Sequence, residues 1–256
     1  MKIKGVIMAG GKGTRLKPLT NIFNKHFFPI YNKPMIYYPM STLIYAGIKD
    51  ILLICNQGDD LYFKKILSGV VKKNKISISY QIQPSTGRGI ADGLILAKNF
   101  IEDSDKIALI LGDNFFYGRL FPNFLRCYLK QKNNNSYIFL SKVVNPKDYG
   151  IAYIKKKKLV KIIEKPKNLK SNLAVTGLYI YHRNVLDLVN SITFSKRGEL
   201  EITSINNKLL NKNRLKYLDI GRGTTWYDLG SYDNILNCSE YVRLLEKRQG
   251  LKICDI

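Results

Sequence analysis

The sequence predicts an α/β fold: a Rossmann-like, mostly parallel mixed sheet flanked by helices, with a smaller β-rich extension. Three observations carry that reading. The first half alternates short apolar runs with segments of helical periodicity, the pattern of a parallel sheet with helices on both faces. The second half places strand-like runs one after another with few helices between them, which requires antiparallel pairing. A glycine pair stops the first apolar run, where a buried strand turns into a loop. With 256 residues, 45% of them hydrophobic, the chain can bury one large core.

Val6 to Met8 form the first buried strand, ended by Gly10-Gly11. Pro34 precedes the periodic segment Met35 to Ala46, and Gly47 closes it. Proline in the first turn and glycine just past the end mark a helix. Ile51 to Cys55 reads as a strand, Leu61 to Leu67 as a helix, and Ile76 to Ile82 as an alternating strand. Ile90 to Phe100 reads as a helix and Ile107 to Leu111 as a strand that ends at Gly112-Asp113. Tyr137 to Val143, Ile151 to Ile154, Leu159 to Ile163 and Ala174 to Tyr181 read as strands, the middle two forming a hairpin around Lys155 to Lys158. Glu199 to Leu210 and Asp233 to Arg248 are amphipathic helices. No Pro-, Gly- or Ser-rich linker and no repeat divides the chain. Residues 1–256 therefore read as one unit, with residues 1–135 as one half, 136–230 as the extension and 231–256 as a C-terminal helix.

Several function classes fall away on composition. No apolar run approaches the ~20 residues that span a bilayer, and Met1 to Gly5 lead directly into the first strand with no secretory leader. The expectation is a cytoplasmic protein with no membrane partner. Cys55, Cys127, Cys238 and Cys254 have no metal-ligand spacing and read as reduced thiols. The formal charge of +23 would attract anionic substrates. Lysines are spread along the whole chain beside abundant Asn, Ile and Tyr, a compositional bias more than a groove-reading surface. No nucleic-acid motif is present, so no nucleic-acid partner is expected.

The first strand runs into Gly10-Gly11-Lys12-Gly13-Thr14-Arg15-Leu16. Glycines let backbone approach an anion closely, and successive amides make a nest for phosphate oxygens. Arg15 adds a permanently charged, forked cation. A P-loop would need a Lys-Ser or Lys-Thr pair closing a longer glycine-spaced loop, which is absent. The dinucleotide fingerprint fails because Leu16 stands at its third glycine position. On the loop alone, a plain tight turn remains an alternative.

The runs MAGGKGTRLKPLT and NKHFFPIYNKPMIYYP are followed in order by GDNFFYG, DYGIAYI, IIEKPKNLKSNLAVTGLYIY, RGELEIT, RGTTWYDLG and EKRQGLKI. Together they resemble the sugar nucleotidyltransferases, specifically the glucose-1-phosphate thymidylyltransferases, nearly end to end. The resemblance implies the nucleotide-diphospho-sugar transferase fold, with a nucleotide-binding first half and a sugar-binding extension. It implies Mg²⁺-assisted thymidylyl transfer from dTTP to glucose-1-phosphate, giving dTDP-glucose and pyrophosphate. Uridylyl transfer to the same sugar phosphate stays open, because base contacts barely sense one methyl group. So does a homologue that binds nucleotide sugar with little turnover. The attacking phosphate oxygen is already ionised at neutral pH, so cations and a metal, more than a general base, should dominate the site.

The resemblance also implies residue roles. Met8, Ala9, Gly10, Gly11, Gly13, Thr14 and Arg15 would form the nucleotide loop, and Lys25 would contact the triphosphate. Gln83 would pair with the base, its amide able both to donate and to accept against an imide edge, and Gly89 would complete that contact. Lys165 and Arg197 would hold the sugar phosphate; Asn114, Tyr149, Gly150, Glu164, Val175 and Tyr179 would hold the sugar. Arg15, Lys25, Lys165 and Asp113 form the catalytic set. Asp113 follows a buried strand at the sheet edge where α/β folds bind ligands. With Asp228 it falls where the family places its metal ligands, and two carboxylates plus phosphate oxygens and water suit Mg²⁺. Trp226 reads as packing and Arg88 as solvated, with a phosphate contact as the alternative for Arg88.

The sequence departs from the family pattern near the nucleotide. His26 and Asp92 stand where glutamine is common, and Leu229 where threonine is common. The loop Gln83 to Gly89 is one residue longer and carries Thr86-Gly87-Arg88. The family continues past the position of Ile256 into helices that help form a second, feedback site, so feedback control is not carried over. A homo-oligomer, tetramer or dimer, is the family expectation.

Overall fold

A computed structural model of the chain describes residues 1–84, 87–168, 170–195 and 197–256. β1 (Ile3–Ala9) lies at the heart of the main sheet. It pairs in parallel with β4 (Asp50–Cys55) on one side and β6 (Lys106–Leu111) on the other. β5 (Ser77–Ile82) adds in parallel beyond β4. Beyond β6 the sheet turns antiparallel through the long β11 (Leu173–His182), whose far side carries β8 (Ser136–Lys142). β12 (Leu215–Asp219) pairs in parallel with β8. The hairpin of β9 (Gly150–Lys155) and β10 (Lys158–Glu164) joins the sheet at Ala174 of β11. Two ribbons lie apart from the main sheet: β7 (Asn114–Tyr117) with β13 (Thr225–Asp228), and β2 (Pro29–Ile30) with β3 (Lys33–Pro34).

Strand side chains alternate between faces, and both faces of the central strands are covered. Ile7, Ile51, Leu53 and Ile110 meet α1 (Tyr37–Tyr45), α2 (Asp59–Asn74) and α5 (Phe121–Leu129) on one side. Val6, Leu52, Ile54 and Leu109 meet α3 (Asp92–Leu96), α4 (Lys98–Ile101), α6 (Leu186–Val189) and α7 (Ile202–Asn211) on the other. Double burial is why β4 and β6 read as unbroken apolar runs. A third core sits under α8 (Tyr232–Gln249), where Cys238 and Val242 pack on Ile30, Tyr38, Phe115 and Leu229. Ser231 caps α8 by accepting the Asn234 N–H, and Gly250 ends it at φ 65°. No described helix is long and apolar enough to cross a membrane.

The element boundaries differ from the sequence reading in informative ways. Pro34 lies opposite Pro29 in the small ribbon, and α1 starts after it, at Tyr37. α2 continues past Leu67 to Asn74 because Val70 extends its buried stripe. The helix expected over 90–100 divides at Ala97 into α3 and α4. The helix expected from Glu199 starts only at Ile202. Just before it, Leu200 donates its N–H to the Arg88 carbonyl and accepts from Ala91 N–H, holding the segment extended. β7, α5 and β12 were not anticipated.

Candidate active site

The carboxyl ends of β1, β5 and β6 open into a cleft of about 570 Å³, whose wall includes Met8, Gln83 and Asp113 from these three strand ends. Across it stand residues of the β9–β10 hairpin, β11 and the segment before α7. The glycine loop forms one lip. The Gln83 side chain lies over Gly10 in space that a Cβ would fill, since one built there would sit 2.2 Å from it. The loop then bends at Gly11 (φ 102°) and Gly13 (φ 55°), and a single helical turn, Thr14–Leu16, presents Arg15. A second single turn, Lys25–Phe27, presents Lys25.

Cations and carboxylates meet at this end of the cleft. Lys25 is ion-paired with Asp113, and the Arg15 guanidinium is 3.8 Å from Asp228. The β7–β13 ladder brings the carboxylates close by placing Asn114 opposite Asp228, and the Asp113 backbone carbonyl accepts the Leu229 N–H at 2.8 Å. Burial opposes the charge on both groups, with different outcomes. For Asp113 the burial effect is outweighed by Lys25 and by neighbouring donors including Asn114, which hold it well below the usual carboxylate range. Asp228 is pushed up to about 6 by burial and by the Asp113 charge, against partial relief from Arg15 and Lys25. One carboxylate is thus firmly ionised and the other short of compensation. His26, buried beside them, is pushed down to about 3 by burial and then by the Lys25 charge, so its imidazole is neutral.

The adjoining wall is built around Asn114 and Glu164. Asn114 accepts from Gly177 N–H at 2.9 Å and from Trp226 Nε1–H at 2.7 Å. Gly177 makes room for it, since a Cβ there would come within 2.6 Å of the amide. Trp226 stands edge-on to Tyr149, with ring centres 5.4 Å apart. Glu164 accepts from the Thr203 hydroxyl. Arg197 lies 3.8 Å from Glu164, 3.3 Å from Glu199 and 3.2 Å from Glu201. Lys165 enters from the end of β10 at φ 41°, its backbone N–H held by the Tyr149 carbonyl at 3.0 Å.

A family model described as nucleotidyl transferase matches residues 4–243. The chain belongs to the nucleotidyl transferase family. Among similar proteins, the glucose-1-phosphate thymidylyltransferase of Mycolicibacterium smegmatis is 42% identical over 252 residues, covering 98% of this chain and 86% of the relative. The protein of that name from Neisseria meningitidis serogroup A is 40% identical over the same shares of the two chains. A crystal structure described as a putative glucose-1-phosphate thymidylyltransferase from Bacillus anthracis, in complex with a sucrose, is 35% identical. It superposes with a TM-score of 0.85, covering 94% of this chain and 95% of that one. A UDP-glucose pyrophosphorylase complexed with UDP-glucose is 21% identical with a TM-score of 0.83 over 96% and 100% of the two chains, a likeness of fold.

In this nucleotidyltransferase the cleft wall gathers most of the residues singled out from the sequence: Met8, Gly10, Gly11, Arg15, Lys25, Gln83, Gly89, Asp113, Asn114, Tyr149, Gly150, Glu164, Lys165, Val175, Tyr179, Arg197 and Asp228. Three lie off it. Ala9 is buried in β1, where its carbonyl accepts from Asn24. Gly13 shapes the turn, its carbonyl accepting from Leu16 N–H and the Thr20 hydroxyl. Thr14 is exposed on the outer side of its helical turn. Ser85 and Thr86 of the lengthened loop lie outside the described residues. Trp226, expected as packing, lines the cleft and anchors Asn114. Arg88 is exposed on the cleft wall, 5.5 Å over the Phe194 ring and 3.7 Å from the buried Asp92. Gly177, Glu201 and Thr203 also line the cleft and were not anticipated. A glycine inside an apolar strand signals close approach of another group, so Gly177 carried a usable signal; Glu201 and Thr203 looked like any first helical turn.

Proposed function

We propose that this nucleotidyltransferase transfers a thymidylyl group from dTTP to glucose-1-phosphate, giving dTDP-glucose and pyrophosphate. The observation that carries the reading is identity of 40–42% over 98% of the chain to proteins bearing that activity's name. A glycine-loop cleft with cations along its wall supports it. An oxygen of the sugar phosphate forms the bond to the α-phosphorus, and the α–β bridging oxygen leaves with pyrophosphate. The difficulty is holding two polyanions in line, a matter of position and counter-charge. Arg15 and Lys25 take the triphosphate, exchanging the carboxylates they now face for phosphate oxygens. Lys165 and Arg197 take the sugar phosphate, Gln83 and Gly89 the base. Asn114, Tyr149, Gly150, Glu164, Val175 and Tyr179 hold the sugar.

Asp113 and Asp228 form an all-oxygen donor pair, and the raised pKa of Asp228 marks negative charge in want of a cation. Among the described residues no three His, Cys, Asp or Glu side chains are placed to hold a metal ion between them, so a metal at this pair would take phosphate oxygens and water as well. That suits Mg²⁺, which when bound would polarise the α-phosphate. The reading carries with it a cytoplasmic homo-oligomer, and a product destined for deoxysugars of cell-surface polysaccharide. The test is pyrophosphate release by the purified chain with Mg²⁺ and glucose-1-phosphate, across dTTP, UTP, dCTP and dATP. The highest kcat/KM belongs to dTTP; preference for UTP reassigns the donor, and no release with any triphosphate overturns the reading.

A further inference from the structure

The cleft-wall Gln83 amide is not free to turn. Its Nε2 donates to Asn56 Oδ1 at 2.9 Å, and the same oxygen accepts Gly11 N–H at 3.1 Å. Asn56 Nδ2 in turn donates to Asp59 Oδ2 at 3.0 Å. That carboxylate oxygen also accepts from Asn24 Nδ2 at 2.6 Å. Asn24 Oδ1 then accepts His26 N–H at 3.0 Å and faces His26 Nδ1 at 2.6 Å. An unbroken polar chain therefore runs from Gln83 to His26, beside Lys25. Neither Asn56 nor Asp59 lines the main cleft; both border a smaller one of about 170 Å³ behind the glycine loop.

Amide groups can flip at little cost unless a neighbour dictates which end is oxygen. Gly11 N–H can only donate and pins the Asn56 oxygen, while Asp59, when ionised, can only accept. Asn56 and Asn24 both turn their NH₂ groups toward Asp59. Asn56 then shows oxygen to Gln83, so Gln83 must spend one N–H inward. Its Oε1 and second N–H remain for a ligand, one acceptor beside one donor, the complement of the N3–H and C4=O edge of thymine. By the same logic His26 carries its proton on Nδ1.

We propose that Asn56 is a positioning residue for base choice, its oxygen fixing the polarity of the Gln83 amide. The inference rests on the reading of Gln83 as the base contact given above. Replacing Asn56 by Ala removes that fixed acceptor and frees the Gln83 amide to turn. The experiment measures equilibrium binding of dTTP and dCTP by calorimetry, with and without turnover, for the wild type, N56A, N56D and Q83A. Wild type is expected to prefer dTTP. N56A should lose about tenfold of that preference, with the melting temperature kept. N56D, which keeps an acceptor facing Gln83, should recover part of it. In a Q83A background N56A should change the preference no further, which a merely structural role for Asn56 would not predict. Unchanged preference in N56A, an equal loss on top of Q83A, or a wild type indifferent to the base would each overturn the proposal. Failure of pyrophosphate release with dTTP binding intact would instead overturn only the reaction assigned above.

Discussion

At the scale of single residues, the acidic end of the cleft holds two groups whose protonation opposes each other. Asp228 is raised from the ordinary 3.8 to about 6. Between those values the folded chain holds more protons than the unfolded chain, so this group's contribution to stability is present at low pH and lost as pH rises through 6. At pH 7 its ionisation costs roughly 2–3 kcal/mol. D228N, with no metal present, should therefore melt about 5 °C or more above wild type at pH 8, and the gap should close near pH 4. In turnover the same variant should lose orders of magnitude in kcat. A drop in melting temperature at pH 8 would refute the assignment. His26 has the opposite sign. Lowered from 6.5 to about 3, it leaves the unfolded chain with the extra proton throughout that window. Stability then falls as pH drops below 6.5, by roughly 2 kcal/mol at pH 5. H26Q should flatten that fall, read as denaturation midpoints at pH 5 and 7.5, since glutamine can still donate to Asn24.

At the scale of elements, β11 decides how the two parts of the cleft wall meet. Its pairing with β8 shifts register between Val175 and Tyr179, and Gly177 in that interval receives Asn114 from β7. G177A should raise KM for the sugar phosphate about tenfold or more, leave KM for the triphosphate within about twofold, and cost about 1–3 kcal/mol from overpacking. Equal effects on both substrates would place the fault elsewhere. Much of this architecture was legible. β4, β6 and β11 announce themselves as apolar runs because both their faces are buried. β7 and β12 were not, since Asn114-Phe115-Phe116-Tyr117 and Leu215–Asp219 carry too few residues to show a period. α5 hid behind Pro122, which in the first turn costs a helix nothing. Gly177 sat inside an anticipated strand, but no local pattern says which side chain fills the space it leaves.

At the scale of the whole molecule, the net charge of +23 surrounds a cleft that must admit two anions. Lys25 and Arg15 face the carboxylates of Asp113 and Asp228, so attraction at a distance falls to the diffuse lysines. Screening shortens from about 30 Å at 0.01 M salt to about 8 Å at 0.15 M. kcat/KM for the triphosphate should fall several-fold over that range while kcat changes little, as initial rates at fixed pH would show. A flat response would mean that the lysine excess plays no part in capture. The cleft's polar residues were legible from motifs spread along the chain, because lysines, arginines and aspartates beside glycine or proline stand out singly. The Gln83-to-His26 relay was not: it depends on which amide ends face which, and Asn56, Asp59 and Asn24 come together only when β4, α2 and the first loops are folded.

Trp226 has one more consequence. It is the only tryptophan in the chain, and its indole N–H is committed to Asn114 within the cleft. The protein therefore carries a built-in optical probe. Ultraviolet excitation at the red edge of tyrosine absorption should light a single emitter on the cleft wall. Titrating glucose-1-phosphate should shift or quench that emission in a saturable way. Stopped-flow recording of the same signal would time substrate arrival without a label.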